Sequence, residues 1–292
     1  MDKTILITGA TSGIGRAAAE EMAARGWQVI GVGRNSEKCR QAEKEIKAFY
    51  PHARLNFLTA DLSSQREINQ LADEAGQFLD DRCGGRLDIL LNNAAAVKNW
   101  YTVTEDGYET QFAVNHLAGF LLTMRLLDKL QKSPAGRILT VSSSSHKGIR
   151  VNWTDIMNKK HYSCLRAYKQ SKLCNVLFTH ELNRRLQDSP VRAYAVDPGL
   201  VNTEIGSKNA SGLVAWFWQH RKQHGLSPFQ AACTIVYLCK MPDGWQTTAS
   251  YFKNCTSQKP GIQTFNEAEA LRLWDLSASL CGLAAGKLPQ RS

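Results

Sequence analysis

From Lys3 to Thr8 the chain reads Lys-Thr-Ile-Leu-Ile-Thr. Thr8-Gly9-Ala10-Thr11-Ser12-Gly13-Ile14-Gly15 follows, and then an Ala-rich helical stretch from Arg16 to Arg25. A short apolar run suits a strand buried on both faces. Glycines at positions 9, 13 and 15 permit a tight turn and let backbone N–H groups approach an anion at the helix start. Gly26 ends the helix and Trp27 to Val32 is a second strand, which completes a βαβ unit. A crossover of that kind returns the chain in the same direction, so this opening commits the fold to a parallel sheet. The spacing is T-G-x-x-x-G-x-G, and taken alone a bare βα turn is the plainer alternative.

The alternation continues along the chain. Helical patterns cover Glu37 to Phe49, ended by Pro51, then Gln65 to Leu79, and a long stretch from Tyr108 to Leu130. Strands are expected at Arg54–Thr59, Leu87–Leu91, Arg137–Val141 and Val191–Val196, with further helices from the Tyr168 region to Leu186, at Phe229–Leu238 and at Glu267–Leu280. Strands alternating with helices predict an α/β fold: one doubly wound, Rossmann-type parallel sheet with helices on both faces. We expect a single domain over residues 1–292, with 200–230 as a substrate loop or lid. In such sheets ligands bind beyond the carboxyl ends of the strands. Thr8–Gly15, Asp61, Asn92–Ala95, Ser142–Ser145 and Pro198–Gly199 all follow strand ends, so one edge should gather them into a single site.

Tyr168 and Lys172 lie four apart on one of these helices, which stacks them on one face, about 6 Å apart along the axis. An ammonium group beside a phenol favours the phenolate and lowers its pKa from about 10, as proton transfer near neutral pH requires. The plainer alternative is a helical surface pair.

Composition narrows the function classes. The 292 residues are 43% hydrophobic and carry 36 basic against 26 acidic side chains, a net charge of +10. The basic residues are scattered without a run, which points to an anionic small molecule and away from nucleic acid. Eight cysteines at irregular intervals include no C-x-x-C pair and no metal-ligand set, so no metal is expected and the thiols read as reduced, in an intracellular compartment. Asn152, Asn209 and Asn254 each begin an N-x-S/T triplet, but no secretory segment accompanies them. No window is long and apolar enough for a membrane span.

With these motifs in hand, the chain resembles the short-chain dehydrogenase/reductase family over essentially its whole length. Thr8-Gly9-x-x-x-Gly13-x-Gly15 matches the family's cofactor turn, and Asn92-Asn93-Ala94-Ala95 its N-N-A-[GA] segment. Asn115, a Ser of Val141-Ser142-Ser143, Tyr168 and Lys172 match its Asn-Ser-Tyr-Lys tetrad. Leu173 to Leu182 and Arg272-Leu-Trp-Asp resemble the retinol dehydrogenase-like branch, as do the 25 positions from Ser143 to Tyr168. The Tyr-Lys-x-Ser-Lys-x-Cys-Asn wording is also similar to light-dependent protochlorophyllide reductases, though without a clear counterpart of their insertion.

The resemblance implies NADP(H) as cofactor and hydride exchange with a carbonyl or alcohol carbon. Tyr168 would be the general acid/base. Ser143, chosen as the second Ser after the strand, would hydrogen-bond the reacting oxygen. Lys172 would bond the nicotinamide ribose, and Asn115 would hold a water linking Lys172 to solvent. Gly9, Ser12, Gly13, Ile14 and Gly15 would cradle the dinucleotide, with Asn92 and Ala94 beside it. Asp61 would meet the adenine amino group with Leu62 against the ring, and Pro198, Gly199 and Thr203 would border the nicotinamide. Arg34 follows the second strand, where an acidic residue would suit NAD and an Arg suits a 2′-phosphate.

Beyond Thr203 the pattern is irregular. Trp216, Phe217 and Trp218, flanked by His220-Arg-Lys, read equally as a substrate lid, as a peripheral membrane contact or as ordinary packing. The expected function is an NADP(H)-dependent oxidoreductase for a small apolar alcohol, aldehyde or ketone of retinoid, steroid or lipid type. It would be cytoplasmic or peripherally membrane-associated, with a homodimer left open. The competing class is a cofactor-binding sensor or interaction protein of the same fold.

Overall fold

A computed structural model of the chain describes residues 3–201, 225–243, 245 and 247–284. Its centre is an eight-stranded sheet in the order β3-β2-β1-β4-β5-β6-β7-β8. The strands are β1 (Thr4–Thr8), β2 (Gln28–Gly33), β3 (Arg54–Thr59), β4 (Ile89–Asn92), β5 (Arg137–Val141), β6 (Arg192–Asp197), β7 (Tyr251–Lys253) and β8 (Thr256–Ser257). Strands β1 to β7 pair in parallel and only β8 runs antiparallel, on the edge. The chain reverses away from β1 on both sides, so the carboxyl ends of the first six strands share one edge, as expected.

Side-chain alternation explains the two helical layers. On β1, Ile5 and Ile7 face the layer that holds α1 (Gly13–Ala24), while Leu6 faces the opposite one. Ile89 and Leu91 against Leu90, and Leu139 and Val141 against Ile138, repeat the division. All of these are buried, so these strands read as continuous apolar runs rather than alternating ones. After α2 (Ser36–Phe49) and α3 (Gln65–Arg82) come α4 (Thr110–Phe112), a π-helical turn (Ala113–Leu117), α5 (Ala118–Arg125) and α6 (Leu127–Gln131). The helix that carries Tyr168 and Lys172 is α7 (Cys164–Arg185), followed among the described residues by α8 (Pro228–Lys240) and α9 (Glu267–Leu280).

α9 lies across α5 and α7. Trp274 meets Phe120 edge-on at 5.1 Å and stacks on Phe178 at 6.0 Å between ring centroids. Aromatic contacts of this kind add about 0.5–1.5 kcal/mol each beyond area burial. At the opposite edge from the expected site, buried Arg137 donates to the carbonyls of Leu238, Cys239, Met241 and Pro242, which close the C-terminus of α8.

Three local expectations need correction. The helix expected from Tyr108 to Leu130 is broken by the π turn and again at Leu126. α3 runs on to Arg82, three residues beyond the expected end at Leu79. β7 and β8 were not anticipated: a three-residue strand has too little pattern to read, and its pairing with β6 supplies the conformation. No helix among the described residues is long and apolar enough to cross a membrane.

Candidate active site

Thr8, the last residue of β1, joins the glycine turn to the end of β4. Its Oγ1 accepts from the amides of Asn93 at 2.9 Å and Ala94 at 3.0 Å, and Asn93 Nδ2 donates to the Thr8 carbonyl at 2.8 Å. Gly9 and Gly13 take left-handed φ values of +68° and +56°. Gly15 is needed for a different reason: a Cβ there would lie 2.3 Å from the Gly9 carbonyl oxygen and 2.5 Å from Asn93 Nδ2. Ser12 is the N-cap of α1, yet its side chain makes no capping bond and the first turn holds no acidic residue. The leading N–H groups of α1, around Gly13, Ile14 and Gly15, therefore have no side-chain acceptor at the cap, the arrangement that receives an anion.

This turn opens into a cleft of about 840 Å³ lined by Gly9, Thr11, Ser12, Arg34, Asp61, Leu62 and Ala94. Gly33 lets β2 press against the turn, since a Cβ would meet Thr11 Cγ2 at 2.5 Å. Arg34 is exposed at the cleft, and so is Lys38, which the sequence reading missed. The signal was present: a second basic residue four positions on, in the first turn of α2. Asp61 Oδ1 accepts from the amide and hydroxyl of Ser63 at 2.9 and 2.8 Å, which fixes the carboxylate at the end of β3. The cleft continues along Val97, Trp100, Val103 and Val114, none of which was anticipated. Asn92 sits deeper. Its Nδ2 donates to Thr123 Oγ1 at 3.0 Å, and its buried Oδ1, without a partner, belongs to a residue lining a small inner cavity with Thr8 and Asn115.

The tetrad positions converge at the ends of β4 and β5. Ser163 caps α7, and Tyr168 and Lys172 follow on adjacent turns. The Lys172 ammonium lies 5.7 Å from the centroid of the Tyr168 ring and donates to the Val141 carbonyl at 3.1 Å, which also accepts from Asn175. Burial alone pushes the Lys172 pKa down to about 8. Asn115 stands in the π turn, a feature frequent at functional sites. Its Oδ1 accepts from the Ala96 amide at 2.6 Å, while Nδ2 donates to the Ala96 carbonyl and to Ser171 Oγ, both at 3.0 Å. Ser171 in turn donates to the Tyr168 carbonyl at 2.8 Å. The Asn115 side chain thus ties the segment after β4 to the backbone of α7.

The structure separates the four serines. Ser142 donates to the Lys172 carbonyl at 2.8 Å and Ser144 to Asp197. Ser143 is buried, and among the described residues its hydroxyl bonds within its own short turn, to Ser145. At the end of β6, Gly199 has φ +80° and its amide donates to Asp197 Oδ1 at 2.9 Å. Asp197 also accepts from Tyr251 at 3.0 Å and pairs with Lys253 at 3.5 Å. Burial opposes its charge, but Ser144, the Gly199 amide, Lys253 and Tyr251 together hold the carboxyl below its ordinary range. Pro198 and Gly199 stand where expected, after the strand, but neither lines the cleft. Thr203, Trp216, Phe217 and Trp218, with most of the expected 200–230 lid, lie outside the described residues. No group of three or more metal-binding side chains occurs among the described residues.

Neither the cleft nor the inner cavity is lined by Ser143, Tyr168 or Lys172. The chain belongs to a family of nicotinamide-dependent oxidoreductases, the short-chain dehydrogenases: the family described as "short chain dehydrogenase" matches over residues 3–213. Within that family it falls in the retinol dehydrogenase-like branch. Retinol dehydrogenase 13 of Homo sapiens is 38% identical across 97% of this chain and 86% of its own length. Retinol dehydrogenase 11 of Mus musculus is 36% identical across 96% and 87%. Among solved structures, an uncharacterized protein from Mycobacterium paratuberculosis superposes with a TM-score of 0.75 at 30% identity, covering 98% of this chain and 95% of its own. A short chain dehydrogenase from Shigella flexneri, complexed with NADP, gives 0.68 at 26% identity over 87% and 98%.

Proposed function

We propose that this oxidoreductase uses NADP(H) to interconvert an apolar alcohol with its aldehyde or ketone, with Tyr168 as the general acid/base. The observation that carries the reading is the Tyr168–Lys172 pair, anchored on Val141 at the end of β5, on the same sheet edge as the glycine turn that follows β1. When bound, the nicotinamide supplies or accepts the hydride. In the reducing direction the Tyr168 phenol gives its proton to the carbonyl oxygen, and in the oxidising direction the phenolate removes it from the alcohol. The Ser143 hydroxyl holds that oxygen, and the Lys172 ammonium stabilises the phenolate and would bond the ribose. Bringing a phenol from about 10 to about 7 takes about 4 kcal/mol of charge stabilisation, a scale that a buried ammonium and a positively charged ring together can supply.

The residues present fit the phosphorylated dinucleotide. Ser12 and the first turn of α1 would receive the pyrophosphate, and Arg34 with Lys38 would receive the 2′-phosphate. No carboxylate stands at the end of β2, where ribose hydroxyls would otherwise be bound. The NADP-bound relative from Shigella flexneri supports the same choice. The substrate class rests on the retinol dehydrogenases that the chain resembles, and on Val97, Trp100 and Val103 along the cleft.

The test is turnover of a panel of carbonyls and alcohols, retinoids and steroids included, with NADPH and NADH compared. The reading predicts NADPH oxidation with at least one apolar carbonyl. Tight NADPH binding with no turnover of any member would overturn it in favour of the sensor class.

A further inference from the structure

One buried imidazole beside the site has no part in the mechanism above. His146 closes the short 3-10 turn Ser144–His146 that begins at Ser143, and it has no solvent exposure. Its Nε2 lies 2.9 Å from the Gly261 amide, 115 positions later in the chain, and its Nδ1 lies 2.6 Å from the Ser143 carbonyl. A backbone N–H can only donate, so Nε2 must be the bare acceptor and the proton must sit on Nδ1. That proton is donated to Ser143 O, which also receives the His146 amide at 3.0 Å. One residue therefore supplies both donors to the carbonyl of the expected catalytic serine.

The ring is seated on every side. It packs on Tyr251 at 5.1 Å between centroids, and Tyr251 donates to Asp197, which also holds Ser144. Gly261 is close enough that a Cβ there would meet His146 Cδ2 at 3.3 Å and Gln263 Oε1 at 2.8 Å. Among the described residues, Lys147 and Asp197 are the charged groups that act on the ring, with Lys253 paired to the latter. Burial, with Lys147, outweighs the Ser143 carbonyl and Asp197, so the imidazole stays neutral, as its two bonds require.

We propose that His146 is a positioning residue for Ser143, whose neutral Nδ1–H tautomer braces the Ser143 carbonyl against the Gly261 amide and thereby aims the Ser143 hydroxyl. The proposal rests on the role given to Ser143 above. The 3-10 turn is also tied through Ser144 to Asp197, but that bond holds the residue after Ser143, whereas His146 holds the Ser143 carbonyl itself. A hydroxyl displaced by about an ångström would still leave the dinucleotide cleft intact, because no cleft-lining residue comes from this turn.

The test uses His146→Phe, His146→Asn and Ser143→Ala in the full chain. His146→Phe removes both bonds while keeping a planar, somewhat larger ring, and His146→Asn keeps a donor toward the Ser143 carbonyl. His146→Phe should lower kcat about tenfold to a hundredfold with NADPH affinity unchanged. His146→Asn should recover to within about threefold of wild type. Nitrogen NMR of the wild-type imidazole should show the neutral Nδ1–H form. Wild-type kcat in His146→Phe, equal losses in both His146 variants together with weakened NADPH binding, or an Nε2–H tautomer would each overturn the proposal. If His146→Phe does not fold, His146→Asn and the tautomer decide it. Wild-type turnover in Ser143→Ala would overturn the Ser143 assignment itself, whereas its loss beside an active His146→Phe would overturn only the role of His146.

Discussion

Lys172 holds its ammonium 5.7 Å from the centre of the Tyr168 ring while donating to Val141 O at 3.1 Å. The cation is thus anchored to the sheet rather than to the phenol it is proposed to influence. Ser142, which donates to the Lys172 carbonyl, and Asn175, which shares Val141 O, fix the same turn of α7 to the end of β5. Positioning is therefore built into backbone contacts, and the Tyr168 side chain can be changed without disturbing them.

From this follows the first prediction. Tyr168→Phe should leave NADPH affinity and melting temperature close to wild type while lowering turnover by about a hundredfold or more, the usual worth of a general acid. Steady-state kinetics beside a fluorescence titration of NADPH check it. Retention of most activity would remove Tyr168 from the proton-transfer role.

Lys172 itself should weaken the unliganded fold. Its pKa falls from 10.5 in the unfolded chain to about 8 when buried. Between those values the unfolded state binds more protons, so stability rises with pH from 8 to 10.5, and below 8 the full cost is present. The cost is about 3 kcal/mol. Lys172→Met should abolish turnover yet raise the melting temperature at pH 7, and should lose the rise in stability above pH 8. Calorimetry of both proteins across that window gives the answer; a destabilised Met variant would contradict it.

His116 works in the acid range. It is buried among Phe112, Phe120 and Phe178, with Nε2 2.9 Å from Ser277 Oγ, and burial holds its pKa at about 4. The unfolded value is about 6.5, so the stability linked to the neutral ring is complete above pH 6.5 and is lost as pH falls toward 4. Urea unfolding should show a decline of about 3 kcal/mol over that interval from this residue. His116→Leu should flatten it, and an unchanged acid slope would show that other groups are responsible.

Cofactor choice should depend on two exposed cations. Arg34→Asp should weaken NADPH by about tenfold to a hundredfold relative to NADH, as expected for losing charge-assisted bonds and adding a repulsive carboxylate. Lys38→Ala should weaken NADPH by about severalfold and leave NADH unaffected, because a lysine meets phosphate as a point charge. Paired titrations with the two cofactors test both. Equal wild-type affinities for NADPH and NADH would refute the assignment.

The glycine turn was legible because its spacing records steric demands that the structure retains, such as the close approach of Gly15 to Gly9. Arg54–Thr59, Arg137–Val141 and Glu267–Leu280 have the bounds that their patterns imply. What stayed hidden depends on partners distant in the chain. Asn92 and Asn93 are indistinguishable as letters, yet Asn93 stitches the turn to β4 while Asn92 is turned inward to Thr123. The π turn around Asn115 adds a residue to one helical loop, which hydrophobic periodicity over a long apolar helix does not register. His146 follows four serines, and only the fold brings Gly261 to its ring.

The placement of α9 has a bearing on how the molecule is made. Trp274 covers Phe178 and Phe120, and both Gln65 and Tyr108 donate to the Leu280 carbonyl. A ribosome delivers α3, α5 and α7 well before Glu267–Leu280 emerges, so the apolar flank of the Tyr168 helix stays naked from its own synthesis until the last part of translation. Domains whose contacts span such long separations complete slowly and pass through species prone to aggregate. Nascent chains arrested ahead of Glu267 should be cut readily by protease and bound by chaperones, and release of α9 should end both. The Tyr168 helix would then be among the last parts to become rigid, so the site proposed on it would not be complete until synthesis is nearly over.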